Sequence, residues 1–504
     1  MILLLAALVL GAAAWSRSAE YDEQYTLFLT AGTPRPVWPE AAFPAGLVRT
    51  IQASHADLGT IARDLRRTDV HPPLYFWAVG LWRRIAGDGL FASRRLSVGF
   101  SLGTLAAVWV LARQTGVPPG MAMLLTLGSY GFLYTGSIAR GFALAEMLSV
   151  WGVACALAAR GRWRYALAAG TLWGAATATN YLAVFVPVGV AVLFLLPLPL
   201  REGVGGRGRW EVACGVGAYP CRAPSPQPPP ARGGGVAVAV AIGCGALPFL
   251  ALDLWFFAAQ HDSRIGQFAP FHLLPGLARI AQYTAANILG GLPLYVPAPD
   301  QTAVTVVLAA FLAALAILVI LRRHRNQLVL AVAALSPPVG LLALGALFNS
   351  TPIELRYLSF SVPFIALLLA SLPRAVLLPL LALQAAAIAG LMLRPETMQP
   401  ARLTARAAAA LVQDGVVLVP YGNDGVGIIG AFAIGSPPDL RLIAIHADTP
   451  PPSGVRRLVL ARMAQDDTSR AAIATMTAAL SGPCWRAAAE GFNVTAYERI
   501  CSGE

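Results

Sequence analysis

From residue 96 to residue 393 long apolar runs alternate with short polar turns. A helix needs about 20 residues to cross a hydrocarbon core of roughly 30 Å, and these runs have that length. The pattern predicts spans at about 96–112, 118–136, 142–159, 165–179, 181–199, 236–257, 303–321, 328–348, 356–372 and 375–393. Met1 to Trp15 is a further apolar run, readable as a signal-peptide core or as a slightly short first span. No basic residue precedes it, which weakens the first reading, and counting it gives about eleven spans.

Between the first run and the rest, residues 16–95 are amphipathic and form a large first loop. Within it Leu58, Ile61 and Leu65 recur at helical spacing opposite Arg63, Asp64, Arg66 and Arg67, which predicts a helix lying on the membrane surface. A second helix is expected from Pro72 to about Gly87, opened by prolines and carrying Tyr75, Trp77 and Trp82, residue types that favour the interface. Residues 200–235 contain the low-complexity stretch "PSPQPPPARGGG", expected to be a disordered cytoplasmic linker. Beyond residue 397 strand-like runs ("GVVLVPYG", "LRLIAIHA", "RRLVLARM") alternate with helical ones, so 398–504 reads as a small α/β domain. The expected fold class is an all-α polytopic membrane protein with a large extracytoplasmic first loop and this C-terminal domain.

Composition sharpens the topology. Only 12% of the residues are charged, about half the share of a soluble domain. Each of the 37 basic residues is an Arg, so any cation that holds a phosphate is Arg or His, and Arg brings a bidentate fork. Alternation from an inside N-terminus puts Arg113, Arg160–Arg164, the 201–232 loop, Arg322–Arg325 and Arg374 in the cytoplasm, as the positive-inside rule requires. The net charge of +12 is thereby accounted for without nucleic acid. Six cysteines show no metal-ligand spacing; Cys484 and Cys501 are a plausible disulfide if the tail lies outside, and Cys155 and Cys244 read as packing within spans.

Two polar pieces interrupt the first loop. "SAEYDEQYT" puts Asp22 and Glu23 just after the first run, flanked by Tyr21 and Tyr25. They read either as solvated carboxylates that cap a short helix or as a general base at the membrane surface, with a divalent cation as the possible cofactor. "TDVHPPLYFW" offers Asp69 as a helix cap before early-turn prolines, or Asp69 and His71 as part of a site.

The order of these pieces resembles the GT-C membrane glycosyltransferases, within them the bacterial relatives of protein O-mannosyltransferases and of the lipid A aminoarabinose transferase. The likeness runs through Asp22-Glu23, "HPPLYF", "SRRLSVGF", "SIARGFALAEML", "TATNYLAVFVP" and "ELRYLSFSVPFIALLL". It implies a GT-C-like domain over 1–397 and a hexosyl- or pentosyltransferase dependent on a polyprenyl-phosphate sugar. Such an enzyme works at the periplasmic face of a bacterial inner membrane. In this family an acid of the first loop is the base; here that is Asp22, supported by Glu23, which would also be the ligands of any metal. His71, Arg140 and Arg356 are the candidates for the donor phosphate, and Tyr21, Asp69, Tyr75, Asn180 and Tyr357 for the headgroup pocket. Two positions depart from the family pattern: Ile138 stands where relatives carry an acid, and Asn180 where they carry His or Lys. Glu146 either replaces the missing acid or is hydrogen-bonded between helices. The sugar is open among mannose, glucose, arabinose and amino sugars; the acceptor among protein, lipid, glycan and wall polymer. The competing readings are a transporter or flippase, a non-catalytic subunit, and a catalytically degenerate relative.

Overall fold

A computed structural model describes residues 1–159, 162–195, 234–260, 270–291, 298–322, 327–350, 353–393 and 399–501. The chain opens with α1 (Ile2–Ser16), turns by 90°, and continues as α2 (Tyr21–Thr30). The rest of the first loop supplies β1 (Phe43–Pro44), α3 (Gly46–Gln52), α4 (Leu58–Thr68) and α5 (Leu74–Ala86). The helical body follows: α6 (Leu90–Thr115), α7 (Pro119–Gly128), α8 (Tyr130–Gly136), α9 (Phe142–Ala158), α10 (Trp163–Thr177) and α11 (Phe185–Leu195), the last preceded by a 3-10 turn over Tyr181–Val184. It continues with α12 (Gly234–Gln260), α13 (Leu273–Ile288), α14 (Ala298–Arg322), α15 (Gln327–Phe348), a 3-10 turn over Leu355–Ser361, α16 (Val362–Leu369) and α17 (Arg374–Leu393).

Helices therefore stand at each segment expected to span. Among the described residues four are long and apolar enough to cross a membrane by themselves, and the bent α1–α2 pair is a fifth candidate. Several expected spans are built from shorter pieces, α7 with α8 and the 355–361 turn with α16. Helix α13 was not anticipated. It carries Arg279, Gln282 and Asn287 between its apolar residues, so no continuous run marks it. The low-complexity loop, up to residue 233, and parts of the Arg160–Arg164 and Arg322–Arg325 turns lie outside the described residues.

Both loop helices form where expected, but α4 spends its apolar face on protein. Ile61 and Leu65 are buried with Leu29, Phe76 and Phe256. The indoles of Trp77 and Trp82 donate to the carbonyls of Leu58 (3.0 Å) and Ala92 (2.7 Å).

The tail comprises α18 (Ala401–Val412), β2 (Val416–Pro420), α19 (Gly427–Gly435), β3 (Arg441–Ile445), β4 (Arg457–Ala461), α20 (Asp467–Leu480), β5 (Trp485–Gly491) and β6 (Val494–Arg499). Its sheet has the order β1-β3-β2-β4-β6-β5, with β2 parallel to both neighbours. Every residue of β2 is buried, as expected of a central parallel strand covered on both faces. Val417, Val419 and Val459 point into one core, Leu418, Leu458 and Leu460 into the other, which α20 covers. The sheet is not the tail's alone. Phe43 pairs with Leu442, and Tyr21, Phe28 and Trp38 of the first loop share the core of α18 and α19. A disulfide joins Cys484 to Cys501. Cys155 is half-buried and Cys244 exposed on its helix face.

Candidate functional site

The site is built around the first turn of α2, and α2 is held at both ends by buried arginines. Glu20 and Glu23 form a reciprocal capping box, with the Glu20 N–H donating to Glu23 Oε2 at 3.0 Å. The Arg94 guanidinium, 1% exposed, donates to both oxygens of Glu23, which is fully buried, and to the carbonyls of Ala14, Arg17 and Ser18. Ala139 N–H gives Glu23 Oε1 a further bond of 2.7 Å. Arg17 pairs with Glu20, whose other oxygen accepts from the Tyr134 hydroxyl at 2.8 Å. At the far end Arg83 donates to Thr30 Oγ1 (2.6 Å) and to the carbonyls of Leu27 and Gln52.

Asp22 faces elsewhere. Its carboxylate pairs with Arg356, and the two side chains are 19% and 16% exposed. Arg356 also pairs with Glu354 and lies over the rings of Tyr357 (5.5 Å) and Phe142 (6.0 Å). Arg140 approaches from the other side, donating from Nη1 to the Asp22 carbonyl (3.3 Å) and from Nη2 to His71 Nε2 (3.1 Å). His71 Nδ1 lies 2.7 Å from Asp69 Oδ1. Arg140 Nη2 also lies 3.4 Å from His71 Nδ1, so the guanidinium sits against both ring nitrogens, and since it only donates, the nitrogen that bonds it accepts. Burial alone would raise the Asp69 carboxyl; His71 and Arg140 beside it hold it well below the usual carboxylate range instead. Gln260, at the end of α12, donates to the His71 carbonyl at 3.1 Å.

Four expected members, Asp22, His71, Arg140 and Arg356, thus come together, with Asp69 and Tyr357 orienting them. The others do not line the same space. Glu23 is not placed to act with Asp22 on a proton or a metal, because its oxygens are filled by Arg94, Ala139 and Glu20. Tyr75 is fully buried with its hydroxyl 3.1 Å from Ser97 Oγ, so it packs behind the site. Asn180 caps the 181–184 turn through Leu182 N–H. Tyr21 turns to the tail: its N–H donates to Gln399 Oε1 (2.6 Å), and it borders a cavity of about 340 Å³ with Arg462, Gln465 and Asn493. Ile138 is buried, Ala139 beside it caps Glu23, and Glu146 lies buried in α9 with no partner for Oε1 among the described residues. No group of three or more metal-ligating side chains occurs among the described residues.

Sequence reasoning missed Arg17, Glu20, Arg83 and Arg94. The spacing of Glu20 and Glu23 is a legible capping signal; the arginines reveal themselves only through their burial.

A family model described as dolichyl-phosphate-mannose-protein mannosyltransferase matches residues 70–214. Among solved structures the chain is similar to ArnT from Cupriavidus metallidurans bound to undecaprenyl phosphate, with a TM-score of 0.52 and 12% identity over 99% of this chain and 98% of that one. The apo state of that protein gives 0.51 and 11% over 98% and 96%. The chain has the GT-C fold. No curated protein matches it. In this GT-C frame the matched segment carries His71, Arg140 and the helices between them, while Asp22 and Arg356 lie outside it on either side.

Proposed function

We propose that the protein transfers a sugar from a polyprenyl-phosphate carrier to an acceptor at the outer face of a bacterial cytoplasmic membrane. The observation that carries this reading is the partly exposed Asp22 carboxylate at the start of a rigidly seated helix, with Arg356 and the Arg140–His71 pair around it. Asp22 takes the proton of the acceptor's hydroxyl or amine as that atom attacks the anomeric carbon. The bond from the anomeric carbon to the phosphate oxygen breaks, its electron pair stays on the phosphate, and the carrier leaves as an anion in the bilayer. Arg140 and Arg356 meet the charge that grows on it, with His71 and Asp69 holding Arg140 in place. Bound undecaprenyl phosphate in the ArnT structure supports a carrier of this class. On this reading the first loop, the tail domain and the span ends that bear the site all face outward.

The test is transfer in membranes supplied with radiolabelled polyprenyl-phosphate sugars, comparing the native chain with Asp22→Asn at equal expression. Transfer that the substitution abolishes is the expected result. Transfer that survives moves the base elsewhere; no transfer from any donor of the panel refutes the reading in favour of a transporter.

A further inference from the structure

We propose that Arg356 serves two anions in turn: Asp22, with which it pairs in this structure, and the phosphate of the polyprenyl donor, whose arrival frees Asp22 to act as base. This rests on the reading of Asp22 given above and adds an order to it, donor before proton transfer.

Three features single out Arg356. Its pairing with Asp22 ties up the one carboxylate of the site that solvent reaches on α2, so the base and a cation cancel each other as they stand. Its Nε–H is buried and has no acceptor among the described residues. A buried donor left unpaired carries a cost that a phosphate oxygen removes, and a guanidinium offers its edge as a fork to such an oxygen pair. Finally, the rings of Tyr357 and Phe142 support the plane of the guanidinium, so it can exchange one anion for the other without losing its seat. Both Nη atoms are engaged in each arginine, those of Arg140 with the Asp22 carbonyl, Thr26 and His71 and those of Arg356 with Asp22 and Glu354, but of the two only Arg356 has a buried Nε–H without an acceptor among the described residues.

Competition for one cation is reciprocal, so whatever Asp22 costs the donor, the donor costs the Asp22 pairing. Removing the Asp22 charge must then tighten phosphate binding, and must do so through Arg356. The experiment is binding of undecaprenyl phosphate to the full chain in lipid nanodiscs, for native protein, Asp22→Asn, Arg356→Gln and the double variant. Asp22→Asn is expected to bind about tenfold more tightly, the order of a partly buried charge pair at an interface. Arg356→Gln binds more weakly, and Asp22→Asn in that background changes affinity less than about twofold, the size of an additive error. Should Arg356→Gln fail to elute as a single species, Arg356→Met replaces it, likewise removing both the charge and the Nε–H. The proposal is overturned if Asp22→Asn leaves affinity unchanged or lowers it. It is equally overturned if the tightening persists without Arg356, because simple repulsion between Asp22 and phosphate then explains it. Native protein that binds no undecaprenyl phosphate overturns the functional reading together with this one, a result distinct from the other two.

Discussion

The Arg94–Glu23 pair offers the sharpest test of how α2 is held. All five N–H groups of the Arg94 guanidinium are used: Nε and Nη2 on Glu23, Nη1 on the carbonyls of Ala14 (2.9 Å) and Arg17 (3.0 Å), and Nη2 on that of Ser18 (2.6 Å). Both side chains are essentially inaccessible to solvent. Glu23→Gln leaves a buried guanidinium without its counter-charge, and Arg94→Met leaves a buried carboxylate with two backbone N–H groups; each is expected to cost about 3 to 5 kcal/mol. The double variant removes both charges together, so its loss should fall short of the sum of the singles by at least about 2 kcal/mol. Arg94→Lys supplies at most three donors for five acceptors but keeps the counter-charge of Glu23, so its loss should fall between native and Arg94→Met. The assay is unfolding of the full chain in mixed detergent micelles, followed by circular dichroism, with sugar transfer measured alongside because Asp22 sits in the turn that moves. Singles within about 1 kcal/mol of native, or a strictly additive double variant, would refute the reasoning.

The packing of α19 on α2 and the titration of Asp424 give two further predictions. A Cβ on Gly427 would come within 2.9 Å of Tyr21 Cβ, and one on Gly430 within 2.7 Å of Gln24 Oε1, so Gly427→Val with Gly430→Val should overpack the seam at about 1 to 3 kcal/mol. Transfer should fall while the tail keeps its protease resistance; unchanged transfer would show that the tail does not seat α2. Burial raises the Asp424 carboxyl above its ordinary range, although Val426 N–H and the Tyr25 hydroxyl bond to it. Its ionised form is therefore the disfavoured one: stability is greatest below the ordinary carboxylate pKa of about 3.9 and declines as pH rises through the raised value. Asp424→Asn keeps an acceptor for Tyr25 and should raise the melting temperature at pH 7, with the gain vanishing near pH 4; a loss at pH 7 would contradict this.

What the sequence made legible follows from how local each signal is. A hydrocarbon core dictates run length, so α6, α12, α14 and α15 could be read from apolar stretches alone. An amphipathic helix between such runs gives no comparable signal, which hides α13, and a two-residue strand such as Phe43–Pro44 has no period to detect. Residue types at the site were also readable, because charged groups are scarce and stand out. Their partners were not. Asp22 meets Arg356 across 334 positions and Glu23 meets Arg94 across 71, and no pattern in either neighbourhood encodes the match. Tyr75 shows the converse: an aromatic at an expected interface position is satisfied by Ser97 inside the protein.

The bend between α1 and α2 explains why so many arginines gather there. Breaking a helix by 90° frees carbonyls at its end, and in or near hydrocarbon each unpaired carbonyl costs several kcal/mol. Here Arg94 takes the carbonyls of Ala14, Arg17 and Ser18, and Arg402 takes those of Ser16 (3.0 Å) and Arg17 (2.6 Å). Arg402 comes from the first turn of α18, so the tail helps to satisfy the break. The same Arg94 anchors Glu23 one residue from Asp22, coupling the turn's hydrogen bonding to the placement of the proposed base. A straight continuation of α1 would need none of these donors, and it would carry Asp22 away from Arg140 and Arg356. The buried arginines are thus the condition for the bend, and the bend is the condition for the site.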